Sequence, residues 1–225
     1  MLAMKGPIRT KITALLVAVL TAAAARAGIL EIVVGITPSC PEGFMGCWGE
    51  ASQALRTLEE VESVAMNPDV YNATASVHLK GERLPDPEKW RQQFQKMLGE
   101  RIGFRGVEVT VEGSLTAEGG TLLLSLPESP QPLRLAALQN KLQWNFKKKR
   151  PRGVEEEEER AYDELLEIAG KAALKPLTVQ VTGPLRVCDG RLVLEVREFF
   201  MVELQYLSSS PTRYGSGNTE ACRSN

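Results

Sequence analysis

The apolar positions of this chain fall into short runs whose spacing switches between that of strands and that of helices. Ile29–Ile36 (ILEIVVGI) is a β-branched run that reads as a buried strand, and the TPSCPEGFMG stretch after it reads as a loop. From Cys47 onward, Ala51, Ala54, Leu55, Leu58 and Val61 recur at helical spacing, with Ser52, Gln53, Arg56 and Glu59 on the other face. Val61–Ala65 and Thr74–Leu79 read as antiparallel strands joined by the turn-rich NPDVYN. Asp86 is a helix N-cap followed by Pro87, and Trp90, Phe94, Met97 and Leu98 form an apolar stripe ending at Gly99 or Gly103. A further strand begins near Gly106. Strand, helix, strand, strand, helix, strand predicts a ferredoxin-like βαββαβ unit over 28–107, with two helices on one face of a four-stranded antiparallel sheet.

Beyond this point the pattern turns toward β-structure. Val107–Gly113 alternates apolar and polar, Gly119-Gly120 signals a hairpin into Thr121–Leu126, and a strand follows the PESPQP turn near Leu133–Leu138. A helix is expected from Glu155 to Ala173, with Tyr162, Leu165, Leu166, Ala169 and Ala172 on one face. Leu177–Thr182 and Arg191–Val202 are two more strands, separated by the Asp189-Gly190 turn. Five strands with one helix between the third and fourth is the order of an OB-like β-barrel, here over 108–206, and Gly113 suits the coiling such a barrel demands. The fold class is α+β. Residues 207–225 are rich in Ser, Gly and Thr without periodicity, and are expected to be disordered.

Charge and composition narrow the function. The 225 residues carry 27 Lys+Arg, 28 Asp+Glu and one His, so no global basic field favours nucleic acid, and no multi-His centre can form. Residues 1–27 read as a signal peptide: Lys5, Arg9 and Lys11 precede the apolar Ile12–Ala25, and Ala25-Arg26-Ala27 is a small-x-small cleavage site. An uncleaved anchor is the alternative. Cleavage removes four cations and no anion, which leaves a more acidic chain destined for the periplasm or secretion, without stable membrane insertion. Trp144, Phe146 and the run Lys147-Lys148-Lys149-Arg150 resemble a nucleic-acid patch, but the adjacent Glu155–Glu159 run is expected to screen or pair with those bases. The glutamates also complement the helix dipole, opposite Lys171 and Lys175. No nucleophile elbow, phosphate loop, zinc-protease helix or His-based triad is present in the sequence, and no enzymatic role is expected.

The remaining chemistry is sulfur. VVGITPSCPEGFMGCWGEASQALRTLEEVESVAMNP, continued by NATASVHLKGERLPDPEKWRQQF, resembles the heavy-metal-associated domain over about residues 30–106. The likeness rests on a cysteine at the head of the first helix, the Leu58–Val64 passage, the Ala-Thr-Ala-Ser-Val strand and the Leu84-Pro85-Asp86-Pro87 segment. That family carries Cu(I), Zn(II) or Hg(II) on Cys-x-x-Cys, two soft thiolates at chelating spacing. Cys47 matches the second cysteine of the motif, at a helix start that would favour thiolate, whereas Cys40 lies seven residues earlier and Met45 two residues earlier. The resemblance implies a soft metal, copper foremost, on Cys40, Cys47 and Met45, exchanged with a metal-transfer or other protein partner. The alternative, in an oxidising compartment, is that the same two cysteines form a Cys40–Cys47 disulfide in a structural or protein-interaction module without metal. His78 is read as a surface histidine, Cys188 as unpaired or bonded to Cys222, and Asn72-Ala73-Thr74 as a glycosylation sequon in a eukaryotic secretory host.

Overall fold

A computed structural model describes residues 28–38, 41–172 and 177–202. The architecture is α+β and dominated by sheet. Strand β1 spans Ile29–Pro38, helix α1 Gly43–Arg56, β2 Val61–Val64, β3 Thr74–Leu79, α2 Pro87–Leu98 and β4 Ile102–Glu118. These elements pair antiparallel in the order β4-β1-β3-β2. The period-2 pattern sends Ile32, Val34 and Ile36 of β1 and Ala75 and Val77 of β3 into the core beneath α1 and α2. Helix α2 starts where the sequence asks it to: Asp86 accepts from the Glu88 and Lys89 amides, and Pro87 needs no donor at the first position. Its fully buried Phe94 meets Phe104 of β4 with ring centroids 5.6 Å apart, and Trp90 donates to the Glu59 carbonyl at 3.1 Å.

The second half adds β5 (Thr121–Ser125), β6 (Leu133–Ala137), the two-residue strands β7 (Trp144–Asn145) and β8 (Arg150–Pro151), helix α3 (Glu156–Lys171), β9 (Leu177–Cys188), β10 (Arg191–Val196) and β11 (Glu198–Met201). Strand β4 pairs with β5, β5 with β6, β6 with β10, β10 with β9, and β9 returns to β4. The ring therefore closes, and its β6–β10 pair is parallel while the others are antiparallel. Both tight turns in it are left-handed, Gly119-Gly120 (φ 57° and 78°) and Asp189-Gly190 (φ 52° and 72°), which matches the twist of the strands they join. Helix α3 packs Ala161 and the fully buried Leu165 against the ring.

Several boundaries differ from the sequence reading, and the strand expected over Leu177–Thr182 runs on to Cys188 as β9. Strand β4 is continuous across residues 107 and 108, pairing through Ile102–Val111 with β1 and through Ser114–Glu118 with β5 on one edge, while Val107–Leu115 pairs with β9 on the other. One strand thus belongs to both halves, and a single buried core runs through them. The expected Arg191–Val202 strand is interrupted at Arg197, because β9 and β10 cross so closely that a Cβ on Gly183 would lie 1.7 Å from the Glu195 carbonyl oxygen. Helix α1 begins at Gly43, within the segment expected to be loop. The proposed signal peptide, Lys175 and the 207–225 tail with Cys222 lie outside the described residues.

Candidate functional site

The early start of α1 decides the geometry of its sulfurs. Cys47 sits one turn inside the helix instead of at its N-terminus, so the four leading amides do not face its sulfur. Its side chain is 2% exposed, on the core face with Phe44, Trp48 and Ala51, and it is disulfide-bonded. Met45 is 59% exposed. Two positions apart on an α-helix is about 200° of rotation, so Met45 and Cys47 leave opposite faces and do not converge on one ion. Cys40 lies outside the described residues. Among the described residues no group of three His, Cys, Asp or Glu side chains is placed to hold a metal ion. Cys188 is exposed and free, and His78 is exposed on β3.

Among the described residues, the opposite face of the β4-β1-β3-β2 sheet carries no helix. At one end it opens as a groove of about 1030 Å³ lined by Glu31, Glu62, Glu82, Glu198, His78 and Phe200 among others, with no Lys or Arg among the described residues of its walls. At the other end the face is covered by the segment that contains the β7–β8 hairpin. Arg105 of β4 holds that cover down. Its guanidinium donates to the carbonyls of Ile36, Asn72, Ala73 and Leu142 and to Thr37 Oγ1, and it lies 5.0 Å from the Trp144 ring centroid. Burial pulls the Arg105 pKa down to about 10, so it stays charged at neutral pH. No carboxylate pairs with it among the described residues; carbonyl oxygens carry most of the compensation, with the Thr37 hydroxyl and the Trp144 ring supplying the rest. Ala73, held at φ 52°, is one of the residues this arginine clamps.

The clamp joins two exposed segments into one surface. The β2–β3 loop (65–73) presents Met66, Val70 and Tyr71, which are 82%, 45% and 71% exposed. Next to it the β7–β8 hairpin turns through Lys147, Lys148 and Lys149 and carries exposed Phe146. Arg152 lies 4.3 Å from the Tyr71 ring centroid, and the Trp144 amide donates to the Asn72 carbonyl at 3.2 Å. The acidic run forms no ion pair with this hairpin among the described residues, so the pairing expected from the sequence is not made. Glu155 and Glu158 instead flank the buried Lys141, at 3.3 and 2.7 Å, and Glu156 reaches Arg160. No family model matches this chain. No curated protein matches it at a significant level.

The residues that organise this surface escaped the sequence reading. Arg105 sits on a strand among apolar neighbours, and nothing in its local pattern distinguishes it from an exposed arginine. The positive φ at Ala73 has no signal either, since alanine is not a turn residue. The one available clue was the turn-rich NPDVYN itself, where Asp69 accepts from the Asn72 backbone and side-chain nitrogens, a local bond that these residue types favour.

Proposed function

We propose that this chain is an exported, non-enzymatic binding module in which Cys47 has a structural role and carries no metal. A ferredoxin-like unit and an OB-like barrel fused through β4 are its two parts. The order β4-β1-β3-β2 supports the first assignment, and the closed ring with one parallel pair between its third and fifth strands supports the second. The observation that carries the functional reading is the bonded, 2% exposed Cys47 sulfur on the core face of α1, turned away from Met45. A soft-metal carrier exchanges its ion with partners through accessible sulfurs; a buried sulfur in a disulfide pins a helix instead. The Cys40–Cys47 bond is the pairing proposed.

The test is intact-mass and peptide mapping of the natively exported protein, followed by Cu(I) titration against a competing chelator with and without reductant. A complete Cys40–Cys47 bond and no stoichiometric copper after reduction is the expected result. Stoichiometric Cu(I) that is lost in Cys47→Ser and weakened in Met45→Ser would overturn it in favour of a metal carrier resembling the heavy-metal-associated family.

A further inference from the structure

We infer that the surface formed by the β7–β8 hairpin and the β2–β3 loop docks reversibly on an anionic phospholipid bilayer. This adds a partner to the binding reading above and is independent of the state of Cys47. Two features meet on this surface that seldom meet by chance. One is charge: Lys147, Lys148, Lys149 and Arg150 are exposed, Arg152 stands beside them, and none of the five forms an ion pair among the described residues. The single carboxylate nearby in the loop, Asp69, is engaged with Asn72. The other is exposed apolar surface: Met66, Val70, Tyr71 and Phe146.

Cations beside solvent-facing apolar side chains match a lipid headgroup layer over acyl chains, the cations binding phosphate oxygens while the apolar tips enter the interface. Each signal alone gives weak adsorption, and the two together give measurable binding. A nucleic acid fits less well. Met66 and Val70 have no ring on which a base can stack, and Arg152 already occupies a face of Tyr71. With residues 1–27 removed, as proposed, the four cations Lys5, Arg9, Lys11 and Arg26 go with them, and the more acidic chain disfavours an extended polyanion, whereas a bilayer meets only this one face. The surface is also preformed, because Arg105 and the Trp144–Asn72 hydrogen bond tie the loop to the hairpin before any lipid arrives.

Vesicle flotation with the protein recovered from an exporting host tests this. The vesicles contain about 30 mol% phosphatidylglycerol in phosphatidylcholine, with pure phosphatidylcholine as the control that removes any contribution from an N-terminal apolar segment. Binding to the anionic vesicles alone, weakening as salt rises, is expected. At about fivefold per cation, the triple variant K147E/K148E/K149E loses at least about 100-fold in partitioning. The variant M66S/V70S loses about tenfold at unchanged charge, and Phe200→Ser, in the carboxylate-lined groove at the other end of the sheet face, changes nothing. Equal binding to both vesicle types overturns the inference, as does charge reversal without effect. Binding of a single-stranded oligonucleotide as tight as that of anionic vesicles, and untouched by M66S/V70S, overturns it in favour of a polyanion site. Retained thermal unfolding midpoints in the variants confirm that a loss is not misfolding, and none of these outcomes depends on copper.

Discussion

The two halves that share β4 bury different chemistry. In the βαββαβ half the buried uncharged polar residues are Ser52 and Thr74, and Arg105 is a largely buried charge without an ion pair among the described residues, while Glu108 and Thr110 lie on the stretch of β4 that both halves share. The strand ring buries three charges. Glu108 meets Arg197 at 3.0 Å, Lys141 meets Glu158 at 2.7 Å, and Glu195 meets Arg186 at 2.7 Å while also accepting from the Gln139 amide at 3.0 Å. Burial works to lower the Arg197 pKa, but Glu108, Glu198 and Glu158 outweigh it and leave the group more firmly protonated. The difference follows from geometry. Two helices give a sheet a dry lid and let binary pattern decide the register, whereas a small ring has little interior, and its outer side must be fastened to covering segments by directional contacts. The buried charges of the ring are matched by ion pairs, whereas Arg105 in the helical half is matched by carbonyl oxygens, a hydroxyl and an aromatic ring.

Substitutions that strike one half and are read in both break or sharpen that comparison. Gly183→Ala is expected to be the most damaging, by more than about 4 kcal/mol, because the Cβ would overlap the Glu195 carbonyl where the ring closes. Urea unfolding followed by near-ultraviolet circular dichroism measures it; a cost below about 1 kcal/mol would show that the crossing relaxes freely. Phe94→Ala, in the other half, is expected to cost about 3–5 kcal/mol through the cavity it leaves. Since β4 belongs to both halves and one core runs through them, denaturation of this variant stays a single transition shifted to lower urea; two separated transitions would mean that the halves fold independently. Glu108→Ala leaves Arg197 without its buried partner and is expected to cost about 3 kcal/mol, while adding Arg197→Met recovers much of the loss in a double-mutant cycle. Additive losses would mean that the pair contributes nothing as a pair. Asp86→Ala removes the α2 cap and costs about 1 kcal/mol, with Asp86→Asn nearly neutral.

What could be read from the sequence tracks what was local. The Asp86-Pro87 cap and the Gly-Gly and Asp-Gly turns each carry their own signal and are present, and Val107–Gly113 is a strand as expected, but its polar positions Glu108 and Thr110 are buried along with the apolar ones. The start of α1 was hidden because Pro41, Gly43 and Gly46 read as loop, although burial of Phe44 and Trp48 against the sheet outweighs their poor helix propensity. Pairings between distant residues left no trace. Lys141 sits 14 positions before Glu155, and Glu108 lies 89 from Arg197, so the sequence suggested that the glutamates would serve the nearer lysines, whereas the fold gives two of them to a lysine it buries. The same holds for the candidate surface. Its basic run was visible at once, but the loop beside it, some 75 residues earlier, became its neighbour only through Arg105.

The uninterrupted path of β4 sets a phase between the two halves. Successive side chains of a strand point to opposite sides, so the residue count between Val107 and Leu115 fixes which way the ring faces relative to the helices. One residue inserted there would turn the ring's interior positions outward while leaving the first four strands intact, and two would restore the alternation at a shifted register. Neither half can be exchanged as a cassette with a flexible joint. Any lineage that keeps this fold must conserve the parity of that strand, whatever happens to the side chains along it.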